Sequence, residues 1–336
     1  MKSTTLRATL VLLATIVLMA VPAVFVILVG WKSAGLLASL AAMGGIFSAM
    51  GMRWRGLIWG TIVTTIGAFL AVLAASDPWL SAGLMLAVAL TYGLSNNRGL
   101  ALYNFMFPAI VAALIGIPPS IAKDVPVDAL ITAGITAGSM LVAGAVVTYA
   151  IKKPMQAEIP KYGAKVTGVF TFNVALLFTI IGYVTAMLHA QIPGMWMTLT
   201  VVVIIHPYIG YSVRRGIERA SGTILGFLIA IGVATAIPAN FIYYAVGLIF
   251  VELAILTRFY PDRPYWQYVM FITPGVVLLS GLPDQVSQFA DWRLLANVIA
   301  AVACLLLLGI ERLIFKNTLG DPAQMVKSPA PAAAKV

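Results

Sequence analysis

Cysteine, histidine and charge are all scarce in this chain of 336 residues, and each shortage removes a class of chemistry. One cysteine, Cys304, permits no intrachain disulfide and no thiolate cluster for metal or redox work. The two histidines, His189 and His206, fall toward opposite ends of neighbouring apolar runs, so a two-histidine metal site is not expected. No phosphate-binding loop ending in Lys-Ser or Lys-Thr occurs, so the chain carries no ATP motor of its own. Neither catalytic residues nor a cofactor are expected. Charged residues make up only 10% of the sequence.

Apolar residues fill the gap. They account for 61% of the chain at a mean hydropathy of +1.01, too much for a fold dispersed in water. The sequence reads as an integral membrane protein. About 20 apolar residues in a helix cross roughly 30 Å of hydrocarbon, and twelve runs approach that length. They are Ala8 to Gly30, Ala34 to Gly51, Gly56 to Ala75, Pro78 to Ser95, Gly99 to Ile117, Val127 to Ile151, Thr167 to Ala190, Pro193 to Tyr211, Ile217 to Ile237, Ala239 to Phe259, Tyr265 to Gly281 and Ala290 to Phe315. None alternates like a strand, and helices satisfy their own backbone in lipid, so the expected class is all-α, a polytopic membrane protein with twelve transmembrane helices. Lys2 and Arg7 precede an apolar stretch as in a signal peptide, but the run continues to Gly30 without a small-residue cleavage site, so an uncleaved first helix is expected.

With a cytoplasmic N-terminus, twelve crossings place eighteen cationic residues inside and three outside, namely Lys32, Lys123 and Arg293. That asymmetry obeys the positive-inside rule and predicts a multi-pass membrane protein with both termini in the cytoplasm. It also accounts for the net charge of +10 without nucleic acid as a partner.

The chain resembles itself at an offset of 162 residues, where Met52 to Phe69 overlie Arg214 to Ile231. Arg53 meets Arg215, and Gly60-Thr61 meets Gly222-Thr223. Asp128 and Asp291 match at nearly the same offset, and Pro108 lies near Pro274. Six crossings per half give both halves the same orientation, so the expected organisation is two parallel six-helix repeats. The expected domains are residues 1–151 and 167–316, a cytoplasmic linker at 152–166, and a disordered cytoplasmic tail at 317–336.

Charge is densest at "RRGIERASGTILG", Arg214 to Gly226. On a helix Arg215, Arg219 and Thr223 share one face, while Gly222 and Gly226 form a small-xxx-small stripe. If the helix starts at Ile217, two arginines and unpaired N–H groups make an anion receptor. Arginines that only set orientation, with glycines that only pack, are the competing reading. Glu218 lies within reach of Arg214 or Arg215.

The pattern Arg219-x-x-Gly222-Thr223-x-x-Gly226, after an inside loop in a chain of two times six helices, resembles the signature of the fusaric acid resistance (FUSC) and aromatic acid exporter superfamily. Plant aluminium-activated malate channels resemble this group more distantly. The first half departs from the pattern, with Leu57 at the place of Arg219 and Thr64 at that of Gly226. In size the chain is similar to a compact permease branch without large cytoplasmic domains. The resemblance implies efflux of aromatic or other organic anions across the inner membrane, a periplasmic membrane-fusion (HlyD-type) adaptor as partner, and a homodimer. The major facilitator fold shares the two six-helix halves, but its loop motif carries an acid that "MGMRWRG" lacks.

Without ATP, coupling falls to ionisable residues in the membrane. Glu252 in "IFVELAIL" is the foremost proton-coupling candidate, with a structural ion pair to Arg258 or Arg219 as the alternative. His206 either titrates or packs as a hydrogen-bonded ring. Asp291 and Asp128 open helices on the outer side as caps, with a gate at Asp291 and Arg293 as the alternative. Tyr268 and Phe271, three apart, belong either to an interfacial belt or to a surface for an aromatic substrate. Asn104, Asn173 and Asn297 are mid-helix amides suited to interhelical hydrogen bonds. Pro108 and Pro274 would free carbonyls within their helices. Three functions follow: a proton-driven exporter of organic anions, the expected one, a passive anion channel, or a membrane scaffold that transports nothing.

Overall fold

The computed structural model of the protein describes residues 2–95, 104–122, 124–150, 164–188, 193–206, 209–236, 246–251, 253–254, 257, 263–280 and 283–314. Among them there is no strand. The helices are α1 (Lys2–Leu28), the short 3-10 turn η1 (Lys32–Ala34), α2 (Gly35–Ala74), α3 (Pro78–Ser95), α4 (Met106–Gly116), α5 (Val125–Ala150), α6 (Ala164–Met187), α7 (Pro193–Ile204), α8 (Ile209–Ala236), α9 (Tyr265–Ser280) and α10 (Pro283–Ile314). Residues 246–251 are also helical. They gather into two compact units, residues 1–202 and 203–336.

Six helical stretches among the described residues are long and apolar enough to cross a membrane: Lys32–Ala74, Pro78–Ser95, Val125–Ala150, Val166–Met187, Ser212–Ala236 and Leu294–Glu311. The first is longer than a bilayer needs, and it does not run straight. Met52 (φ −132°, ψ 17°) and Arg53 (φ 52°, ψ −134°) leave helical geometry and fold α2 back on itself. As a result a methyl group on Gly60 would stand 2.5 Å from Ser48 Oγ, twelve residues earlier in the chain. The bend produces two limbs of roughly 20 residues each, close to the separate crossings expected at Ala34 to Gly51 and Gly56 to Ala75.

In the first unit both limbs of α2 pack with α5, and α2 also meets α4, while α3 lies along α6. Glycines allow these approaches. Gly45 lies against the backbone of Met140, and Gly144 lies under the Leu57 side chain. In the second unit α8 is the centre, with α9 and α10 both packed on it. Burial is reversed from that of a water-soluble helix. Gly222, Thr223 and Gly226 of α8 are buried while Ile217, Ile224 and Leu228 are exposed, as expected where lipid covers the outer face and small residues permit helix contact.

Two helix starts differ from expectation, and both change the chemistry. α8 begins at Ile209 rather than Ile217, so Arg215 and Arg219 sit well inside the helix. Their backbone N–H groups are committed to helical bonds, and the helix-terminus part of the anion argument falls. The Ser212 hydroxyl supports this earlier start, accepting from the His206 N–H at 2.8 Å and donating to the His206 carbonyl at 3.1 Å. α10 begins at Pro283 rather than Ala290, which places Asp291 in the helix body instead of at a cap. Pro283 suits a first helical position, because its missing N–H would have no partner there. Asp128 lies in the first turn of α5, yet its carboxylate accepts from the N–H groups of Ile121 and Ala122 in the preceding loop. Pro108 falls in the first turn of α4, where it breaks no helical bond.

Candidate functional site

The densest polar geometry of the second unit is built on Arg219. Its side chain is buried at 8% exposure, seven residues inside the membrane-length stretch Ser212–Ala236. The guanidinium reaches both neighbouring helices. One terminal nitrogen donates to the Tyr265 hydroxyl of α9 at 3.1 Å, and the other donates to Asn297 Oδ1 of α10 at 3.4 Å. Tyr265 and Asn297 are themselves buried. The tyrosine hydroxyl and the amide oxygen that accept these two bonds are neutral groups, and they fix the orientation of the guanidinium.

Arg215 lies one turn earlier and meets the same tyrosine differently. Its guanidinium carbon stands 4.3 Å from the centre of the Tyr265 ring, a cation–π contact. Tyr265 therefore holds one arginine with its hydroxyl and the other with its face. Tyr268 extends this surface by stacking on Tyr265 at 5.8 Å between ring centres. The structure thus brings together Arg215, Arg219 and Tyr268 through a residue that sequence reasoning did not select.

Close contact between α8 and α9 makes the arrangement possible. A methyl group on Gly222 would lie 2.5 Å from the Trp266 carbonyl oxygen, next to Tyr265. One on Gly226 would lie 2.7 Å from the Met270 carbonyl oxygen and 3.0 Å from Pro274 Cδ. Pro274 has no N–H, so the Met270 carbonyl lacks its helical donor and turns toward the backbone of α8 instead. Thr223, 2% exposed, is buried beside these glycines.

The remaining candidates lie elsewhere. Glu218, its side chain 13% exposed, accepts from Nε of the 73% exposed Arg214 at 2.9 Å, so its carboxylate is directed to Arg214. Phe271 stacks on Phe250 at 6.5 Å rather than on the tyrosine pair. His206 lies between α7 and α8, where burial and then the Arg215 charge lower its pKa to about 4. Glu252 and Arg258 lie outside the described residues, and the side chains of Asp291 and Arg293 are not described either. No group of three or more His, Cys, Asp or Glu side chains that could hold a metal is found among the described residues.

Sequence reasoning missed Tyr265 as a contact and did not pair Asn297 with Arg219. The signals were present but incomplete. Tyr265 belongs to the aromatic stretch Phe259 to Phe271, and Asn297 is a buried amide in an apolar helix. Their separations from Arg219, 46 and 78 residues, carry no periodicity that would join them.

The fusaric acid resistance protein-like family matches residues 177–307, a stretch that contains all of α8 and α9 and most of α10. Aluminum-activated malate transporter 1 of Arabidopsis thaliana is 30% identical over 131 residues, 34% of this chain and 26% of that protein. The chain therefore spans about a quarter of the length of the curated relative it matches. No solved structure matches the chain. The Arg219, Tyr265 and Asn297 cluster thus lies wholly within the segment, residues 177–307, that is fusaric acid resistance protein-like.

Proposed function

We propose that the chain is a membrane transporter for organic anions, and that Arg215 and Arg219 attract the anionic group. The observation that carries this reading is the burial of Arg219 in an apolar helix, oriented by the neutral groups of Tyr265 and Asn297. A cation at that depth costs on the order of 3 kcal/mol by insertion measurements, and such a residue in a membrane helix is by default a functional one. An anion that reaches it recovers part of that cost.

Two further features support the substrate class. Tyr265 and Tyr268 present stacked rings beside the cations, a surface suited to an aromatic carboxylate. The likeness to fusaric acid resistance proteins, and to a relative named as a malate transporter, supports an organic acid as cargo. Gly222, Thr223 and Gly226 serve by keeping α8 and α9 close enough for the cluster to form.

In the full reading, export runs outward across a bacterial inner membrane, driven by the proton gradient, with Glu252 as the proton-coupling residue. A periplasmic HlyD-type adaptor and a homodimeric assembly complete it. The test is release of a labelled aromatic carboxylate from proteoliposomes, with and without an imposed pH gradient. Acceleration by the gradient, abolished in Arg219→Ala with membrane insertion intact, supports the exporter. Flux that follows voltage and ignores pH makes the protein a channel. Unaltered transport by Arg219→Ala overturns the site.

A further inference from the structure

The first unit holds a second polar centre, chemically unlike the arginine cluster. It forms where the two limbs of α2 meet the start of α4. Gly60 on the second limb is so close to its neighbours that a methyl group there would stand 2.5 Å from Ser48 Oγ and 3.4 Å from Asn104 Oδ1. Those two oxygens are therefore less than about 6 Å apart, with Gly60 between them. Thr64 lies one turn beyond Gly60 on the same helical face, and Thr61 adjoins it.

Asn104, Thr61 and Thr64 are deeply buried and short of partners. Asn104 is 6% exposed, Thr61 7% and Thr64 0%, and neither Asn104 Oδ1 nor the two threonine hydroxyls has a hydrogen-bond partner. The usual remedy for a helical threonine is a bond to the carbonyl four residues earlier, and Thr136 and Thr148 of the same unit make it at 2.8 Å. Thr61 and Thr64 do not. An unsatisfied buried polar group costs about 1–3 kcal/mol, a cost that a ligand binding these oxygens would recover.

The donor set defines the ligand. It consists of one amide carbonyl oxygen and neutral hydroxyl oxygens, the hard oxygen ligands that s-block cations take. No acidic residue stands in α2 or α4, so nothing offsets the dehydration of a divalent ion. A monovalent cation costs far less to dehydrate, and neutral oxygen ligands can replace its hydration shell. Arg53, a cation of the same unit, donates to the Thr148 carbonyl of α5 at 3.4 Å. We propose that the oxygen cluster of Ser48, Thr61, Thr64 and Asn104 is a binding site for a dehydrated sodium ion. It lies in a different unit from Arg219 and is independent of the anion site.

The experiment is thermal unfolding of the purified full-length protein in detergent, titrated with sodium chloride against potassium and choline chloride at constant ionic strength. Sodium at a hundred times its Kd should raise the midpoint by roughly 5 °C, with saturation, where potassium and choline do not. The near-isosteric Thr64→Val should weaken that sodium response at least tenfold while leaving the midpoint in choline within a few degrees of the parent. Asn104→Ala should do the same, and Arg219→Ala should retain the response in full. Equal stabilisation by all three salts overturns the site, as does a sodium response that survives in both Thr64→Val and Asn104→Ala. If Asn104→Ala does not fold, Thr64→Val alone decides. A sodium response that disappears in Arg219→Ala would also overturn it, by moving the ion to the other unit.

Discussion

Adding a single methyl group at Gly222 separates a functional helix crossing from an incidental one. An alanine Cβ there would stand 2.5 Å from the Trp266 carbonyl oxygen and 2.7 Å from Val269 Cβ. Ordinary carbon–oxygen contact begins near 3.3 Å, so α9 must retreat by about 0.8 Å, and backbone cannot rotate out of the way as a side chain can. Overpacking of this kind costs about 1–3 kcal/mol. Tyr265 immediately precedes Trp266 and moves with it, and a 3.1 Å bond from Arg219 stretched by that amount is no longer a hydrogen bond. Gly222→Ala should therefore lower the unfolding midpoint by a few degrees and remove most anion transport. Gly232→Ala is the control on the same helix, because a methyl group there meets nothing within 4 Å. It gains helix propensity worth up to about 1 kcal/mol and should leave transport intact. The two variants are compared by thermal unfolding in detergent and by proteoliposome flux. If Gly222→Ala proves as benign as Gly232→Ala, α8 and α9 do not cross as described, and the Tyr265 bridge falls with them.

Other expectations follow from neighbouring contacts. Tyr265→Phe removes the hydroxyl that Arg219 uses but keeps the ring under Arg215, so it should lower anion affinity about tenfold, read as a rise in KM, where Tyr265→Ala abolishes transport. Glu218→Gln should change stability by less than about 1 kcal/mol and leave transport unaltered, since its partner Arg214 is 73% exposed and such pairs are weak. His206 has a pKa of about 4 in the folded protein against 6.5 when exposed, so the unfolded chain binds more protons between those values. Stability should fall as pH drops through that window, and His206→Gln should flatten the dependence in an unfolding titration. Between pH 7 and 8 the same substitution should leave the transport profile unchanged.

Much of the fold was legible because the bilayer sets its length scale. Run lengths of about 20 residues pointed to the six stretches that are long and apolar enough to cross a membrane, and the limbs of α2 were readable as two helices because the charged break "MRWRG" interrupts the apolar pattern. Helix starts were less legible. "HPYIGYSV" has no polarity step to mark where α8 begins, and the Ser212 hydroxyl that supports its start is bonded six residues back rather than in a standard cap. Gly222 and Gly226 stood out in the sequence as a packing stripe, since spacing alone puts them on one face, and α9 lies against that face. Their partners could not be read that way, because nothing local to Arg219 specifies Tyr265 or Asn297. Asn104 illustrates the same limit: its type suggested an interhelical bond, and only the doubling back of α2 brings Ser48 and Gly60 to it.

The bend that creates this doubling back is itself a test of purpose. Arg53 occupies φ 52°, ψ −134°, a region that costs a residue with a side chain about 1–3 kcal/mol and costs glycine almost nothing. Glycine would fit the turn better, yet arginine stands there, with its guanidinium on the Thr148 carbonyl at the end of α5. If the arginine serves only to terminate a helix, Arg53→Gly should be more stable than the parent and transport as well. If it joins α2 to α5 so that the two limbs keep Ser48 and Gly60 in register, the glycine variant should gain backbone ease and lose the sodium response together. Measuring both on one sample distinguishes the two: a variant that melts higher and still responds to sodium as the parent does would make Arg53 a topological residue alone.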